Sequence, residues 1–88
     1  MKIIKFTAMW CADCIVMRPM WAEISDKHPN LEIIEYDFDK NPTEIKHWEV
    51  KKVPHLIIIN QDGKELTRVD GLRSKNELTK IIEDYLIL

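Results

Sequence analysis

The sequence predicts an α/β domain in the element order β-α-β-α-β-β-α, built on a four-stranded mixed sheet. Three observations carry this. Short runs rich in β-branched and aromatic residues, at 2–7, 31–38, 56–60 and 64–69, alternate with stretches whose apolar residues recur every three or four positions. A long helical crossover separates the first two strands, which makes them parallel. Asp62-Gly63 closes a tight turn between the last two, which makes them antiparallel.

Each element has its own signals. In the first strand Ile4 and Phe6 share one face, with Ile3 and Lys5 on the other. The first helix begins around Asp13, with Cys11 at the N-cap position, and Met17, Met20, Trp21 and Ile24 follow helical spacing. Pro19 inside it removes a backbone donor and should kink it, and Pro29-Asn30 ends it. In the second strand Ile34, Tyr36 and Phe38 share one face, and Leu31, Ile33 and Glu35 the other. Asn41-Pro42-Thr43-Glu44 starts a short helix: Asn41 can cap, Pro42 suits the first helical position, and Glu44 can reach back. The third strand is the most hydrophobic, and the fourth alternates as a half-exposed strand does. Gly71 breaks the chain, Ser74 and Glu77 form a capping box, and Leu78, Ile81, Ile82, Tyr85 and Leu86 make a helical stripe. Pattern alone leaves the direction of the third strand open.

Composition bounds the function. The chain, 1–88, is one domain, which at this length buries roughly two-thirds of its unfolded surface. With 45% hydrophobic and 32% charged residues it reads as a soluble protein. A net charge of −2 gives no reason to expect nucleic acid or an anionic membrane as partner. Met1-Lys2-Ile3-Ile4-Lys5 lacks the long apolar stretch of a secretory signal, and Leu56 to Ile59 is too short to span a bilayer. A reducing cytoplasm is therefore the expected location, where two cysteines are chemical rather than structural.

Those cysteines, Cys11 and Cys14, stand two residues apart between a strand and a helix, a spacing that reads as a redox pair. A helix N-terminus presents unpaired N–H groups and about half a positive charge, and both favour a thiolate. A cysteine of pKa near 8.5 is only about 3% thiolate at pH 7, whereas one at about 7 is half thiolate. Cys11, at the helix start, is the expected nucleophile, and Cys14, one turn in, the more buried resolving thiol. Trp10 is expected to pack over the pair as an exposed platform for substrate, the alternative being a core aromatic. Trp21 and Trp48 read as packing residues, and His28 and His47 as surface residues. His55 either tunes pH dependence or points away from the site. A zinc site has no His-X₃–₅-His pair to support it, so no metal is expected.

The chain resembles the thioredoxin family over essentially all 88 residues. The resemblance rests on 8-Ala-Met-Trp-Cys-Ala-Asp-Cys-14, Pro19, Asp39-Lys40-Asn41-Pro42, Val53-Pro54, the Asp62-Gly63 turn and Gly71, in this order. It implies a thioredoxin fold, with helices on both faces of the sheet and the third strand antiparallel to the first. It also implies a cis Pro54 beside the cysteines, with Val53 offering backbone hydrogen bonds to a bound peptide. Four departures stand out. The chain starts at the strand before the motif, so the family's usual first strand and helix are missing. The motif dipeptide is Ala12-Asp13 where the family usually has Gly-Pro. His55 stands where threonine is frequent. Lys5 replaces the family's buried acid, and Glu35 stands where a lysine is often found near it. Lys5 and Glu35 are expected to form a reversed ion pair, with Glu35 the candidate proton acceptor for Cys14.

The expected activity is thiol–disulfide exchange: a protein-disulfide reductase with no bound cofactor, working through a redox-active Cys11–Cys14 disulfide. The implied partners are protein disulfides and a thioredoxin-reductase-type flavoprotein, with the chain a monomer. Two alternatives are a glutathione-dependent, glutaredoxin-like enzyme and a non-catalytic binding module. The paired glycines usual in glutaredoxins are absent, since only Gly71 precedes the last helix.

Overall fold

The most hydrophobic run of the sequence becomes a central strand. The computed structural model describes residues 1–86. Its elements are β1 (Lys2–Thr7), α1 (Ala12–Lys27), β2 (Glu32–Asp37), α2 (Pro42–His47), β3 (His55–Ile59), β4 (Glu65–Asp70) and α3 (Lys75–Leu86). Every residue of β3 is buried, and the strand order is β2-β1-β3-β4. β1 runs parallel to β2 and β3 antiparallel to β4, as the pattern predicts, and β3 antiparallel to β1, as the resemblance implies.

The alternation along β1 divides the core in two. Ile3 joins Leu56 and Ile58 beneath α1 and α3, packing with Met17, Trp21, Ile24, Leu78 and Ile82. Ile4 and Phe6 face the other way with Ile57 and Ile59, against Ile45, Trp48 and Val50 of the α2 segment. Lys5, two residues from Ile3, therefore lies on the α1 side of the sheet, and His55, two before Ile57, on the α2 side.

The local signals hold with some differences. Pro19 lies inside α1 without ending it. β2 is one residue shorter at each end than the sequence run. The Ser74 hydroxyl accepts from Glu77 N at 3.1 Å and the Glu77 carboxylate from Ser74 N at 3.3 Å, so the capping box forms. Asn41 occupies the N-cap of α2 but makes no side-chain cap bond. Its Oδ1 accepts instead from Asp37 N at 2.8 Å, bracing the β2–α2 loop. Gly63 (φ +83°) and Gly71 (φ +84°) both occupy the left-handed region that favours glycine. Leu86, the last of the expected helical stripe, is exposed.

Candidate active site

β1 delivers the chain to a short turn that ends at Cys11, whose extended backbone (φ −87°, ψ 106°) makes it the N-cap of α1. Cys11 and Cys14 are joined as a disulfide. The Cys14 amide, free because it lies in the first turn, donates to Cys11 Sγ at 3.1 Å. A sulfur carrying negative charge would strengthen that bond, so the helix start favours a Cys11 thiolate. Cys11 and Cys14 are 6% and 3% exposed. Cys14 is the more covered, as expected, but the small difference means that position at the helix start separates the two better than exposure does.

Ala8 completes the cluster around the disulfide, with Phe38 and Val53 against it. The Val53-Pro54 peptide is cis. Pro54 O accepts from Gly71 N at 2.9 Å, which ties this turn to the end of β4. On the outer side Trp10 is 64% exposed, with Met9, Ile15 and Leu72 also exposed. Trp10 is thus a surface aromatic, whereas Trp21 is buried in the core and Trp48 packs under α2. The Trp10 indole is held: Nε1 donates to Asp39 Oδ2 at 2.7 Å, and the ring meets Phe38 edge-on. Sequence reading missed Asp39 as its partner, because the bond spans 29 positions. Ala12 and Asp13 are exposed in the first turn of α1.

Lys5 and Glu35 are Cα partners on β1 and β2, and Lys5 Nζ lies 2.9 Å from Glu35 Oε1. The reversed pair forms, but its burial is one-sided. The lysine side chain is 13% exposed and the glutamate 57%. The ammonium lies 5.1 Å from the Trp21 ring centroid, within cation–π range. Lys5, Cys14, Met17 and Trp21 line one cleft of about 40 Å³, large enough to admit water. Glu35, Arg18 and Arg73 also border it. Arg18, four residues beyond Cys14 on α1, was detectable from helical spacing; Arg73 was not.

His55 is 8% exposed and lies on the face of β3 that carries Ile57 and Ile59. Its ring meets Phe6 edge-on, Nδ1 has no partner, and Nε2 lies 3.5 Å from Arg68 Nη1. Burial, with the Arg68 guanidinium adding to it, holds its pKa below 6.5 against the opposing pull of Asp70 and Glu65. His28, expected at the surface, is instead half-buried and 3.2 Å from Glu83 Oε2, while His47 is exposed. Among the described residues no group of three or more His, Cys, Asp or Glu is placed to hold a metal ion. No described helix is long and apolar enough to cross a membrane.

The thioredoxin family model matches residues 1–84. A thioredoxin of Chlamydia trachomatis is 32% identical over 83 residues, spanning 94% of this chain and 80% of that protein. One of Staphylococcus epidermidis is 30% identical over 86 residues, spanning 97% and 82%. Among solved structures, the thioredoxin of Trypanosoma brucei brucei matches with a TM-score of 0.88 at 25% identity, covering 99% of this chain and 75% of that one. A mutant thioredoxin from Halobacterium salinarum gives 0.85 at 26% identity, covering 94% and 72%. The mixed sheet and its helices match the fold of these structures, and the Cys-X-X-Cys pair sits at the start of α1. The chain belongs to the thioredoxin family and is a dithiol–disulfide oxidoreductase.

Proposed function

We propose that this protein is a monomeric cytoplasmic reductase of protein disulfides, with Cys11 the nucleophile and Cys14 the resolving thiol. The observation that carries the division of labour is the Cys14 N–H bond to Cys11 Sγ at the helix start. The Cys11 thiolate attacks a substrate disulfide; a Cys11–substrate bond forms and one substrate thiolate leaves, taking a proton from water. Cys14, deprotonated, then attacks Cys11 Sγ. The Cys11–Cys14 bond forms, the mixed disulfide breaks, and the second substrate thiolate leaves. Two enzyme thiols are oxidised and one substrate disulfide is reduced.

The remaining site residues support this exchange. The exposed Trp10 and Met9 offer an apolar seat for a polypeptide, and Val53, before the cis Pro54, offers backbone groups beside it. Asp13 sets the local charge at the helix start beside the uncharged Ala12, and Lys5 with Glu35 stand behind Cys14. A thioredoxin-reductase-type flavoprotein returns the electrons.

The test is reduction of insulin by the protein with either of two electron donors. NADPH with thioredoxin reductase should sustain turnover. Turnover with glutathione alone would overturn the reductase assignment. Failure of the pre-reduced protein to reduce insulin at all would overturn the enzymatic reading in favour of a binding module.

A further inference from the structure

The cleft behind Cys14 holds a charge arrangement that bears directly on the resolving step. Cys14 is buried, and burial alone opposes loss of its proton. The charged groups bordering its cleft come from every element around it: Lys5 from β1, Arg18 from α1, Glu35 from β2 and Arg73 from the segment after β4. His55 also borders the cleft, but its ring meets Phe6 edge-on on the other side of the sheet. Asp13 is on the exposed first turn. Of these groups, Lys5 is the one whose ammonium lies against a buried residue of α1, 5.1 Å from the Trp21 ring centroid, on the helix face that also carries Cys14 and Met17. Its counter-ion Glu35 points mostly into water, where its negative charge is screened, while the ammonium stays in the less polar cleft.

Resting on the division of labour above, we propose that Lys5 is a positioning residue for resolution. Its buried ammonium holds Cys14 as a thiolate in the mixed disulfide. Cys14 loses its proton to solvent through the cleft, and the resulting anion attacks Cys11 Sγ. Glu35 fixes the ammonium in place and partly offsets its field. A cation cannot accept the Cys14 proton. It acts by making the anion cheaper to form, which needs no proton acceptor in the protein.

The experiment uses an aromatic disulfide of thionitrobenzoate with the reduced protein. The first released thiol reports attack by Cys11, and the second reports resolution by Cys14. The rate of the second release is followed against pH. Lys5→Met keeps an unbranched side chain in the cleft but removes the charge; its midpoint should rise by about one unit, slowing release about tenfold on the acid side. Lys5→Arg should restore the original midpoint. Glu35→Gln, at a well-exposed position that does not threaten folding, removes the offsetting charge and should lower the midpoint. A purely structural role would move both partners' variants the same way. The inference is overturned if Lys5→Met leaves the midpoint unchanged, or if Lys5→Met and Glu35→Gln shift it together. Labelling separates the underlying reading: if Cys11→Ser takes up the first probe and Cys14→Ser does not, the division of labour itself fails, and this inference with it.

Discussion

Trp10 and Asp39 close a 2.7 Å hydrogen bond across the rim of the active site, joining the turn after β1 to the loop after β2. An exposed indole would otherwise sample several rotamers, and holding it in one lowers the entropy cost of binding a partner against it. Asp39→Ala should therefore reduce kcat/KM for insulin several-fold. The rate with a small aromatic disulfide, which needs no platform, should stay the same. The bond is at the surface, so the urea midpoint should move by no more than about 1 kcal/mol of stability. Equal losses on both substrates would mean that Asp39 acts on the cysteines and not on the platform.

The two cysteines should separate cleanly by variant. Cys11→Ser should abolish disulfide reduction. Cys14→Ser should still attack but fail to release, accumulating a mixed disulfide visible as a mass adduct that a reductant removes. Alkylation of the reduced protein at limiting reagent should label Cys11 first. Preferential labelling of Cys14 would reverse the assignment.

Asp13 bears on the same pair. A carboxylate in the first turn of α1 suits the helix, but its charge disfavours a second anion nearby. Asp13→Asn should lower the Cys11 thiol pKa and so stabilise the reduced form, making the protein a stronger oxidant. Thiolate absorbance in the ultraviolet and equilibration against glutathione measure the two effects. An unchanged titration would count against a through-space role.

The one-sided burial of the Lys5–Glu35 pair sets its contribution to stability. A fully buried pair loses about 3–5 kcal/mol when one partner is removed. Here the carboxylate is 57% exposed, so removing Lys5 strands no charge in a dry site. Lys5→Ala should cost about 2 kcal/mol, from the loss of its largely buried stem and of the ammonium over Trp21. Glu35→Ala should cost about 1 kcal/mol, with the coupling between them near 0.5–1 kcal/mol. Urea unfolding of the double-mutant cycle reads this. A loss above about 3 kcal/mol for Glu35→Ala would show that the ammonium depends on its partner far more than the exposure suggests.

Much of this could be read from residue types at fixed spacing. The Cys11 N-cap, the Ser74–Glu77 box, the Asp62-Gly63 turn and the split of Ile3 from Ile4 and Phe6 are local patterns, and they formed. Pairing of Lys5 with Glu35 also followed, since parallel neighbouring strands put both on one face. What stayed hidden depends on contacts made only after elements dock. Which partner of that pair is buried is decided by α1 lying over β1. The Asn41 side chain makes no cap bond and accepts from the Asp37 amide across the loop before α2, a contact set by how that loop folds. The direction of His55 waits on the register of β3 against β1, which places it opposite Phe6.

That placement gives His55 a pH signature separate from the redox chemistry. In the fold the ring is buried, its Nδ1 is unpartnered and its pKa is lowered, first by burial and then by Arg68. The unfolded chain takes up a proton near 6.5. The sign follows: the folded protein resists protonation, so the contribution of His55 is complete above that value and is lost as pH falls toward its folded pKa. Glu65 behaves differently. Its pKa is lowered by the Arg68 hydrogen bond from 4.5, so its contribution survives until the pH is more acid still, and its exposure keeps it small. The first decline as pH falls below 6.5 should therefore belong to His55. His55→Leu replaces the ring with an apolar side chain against Phe6 and removes both the proton and the orphaned nitrogen. Its urea midpoint at neutral pH should be no lower than that of the parent, and this first decline should flatten. Because the ring's neighbours are Phe6 and Arg68 and not the cysteines, the pH profile of insulin reduction should keep its shape in this variant. A slope of stability that persists in His55→Leu would assign the acid sensitivity elsewhere, and a reshaped activity profile would bring His55 back to the active site.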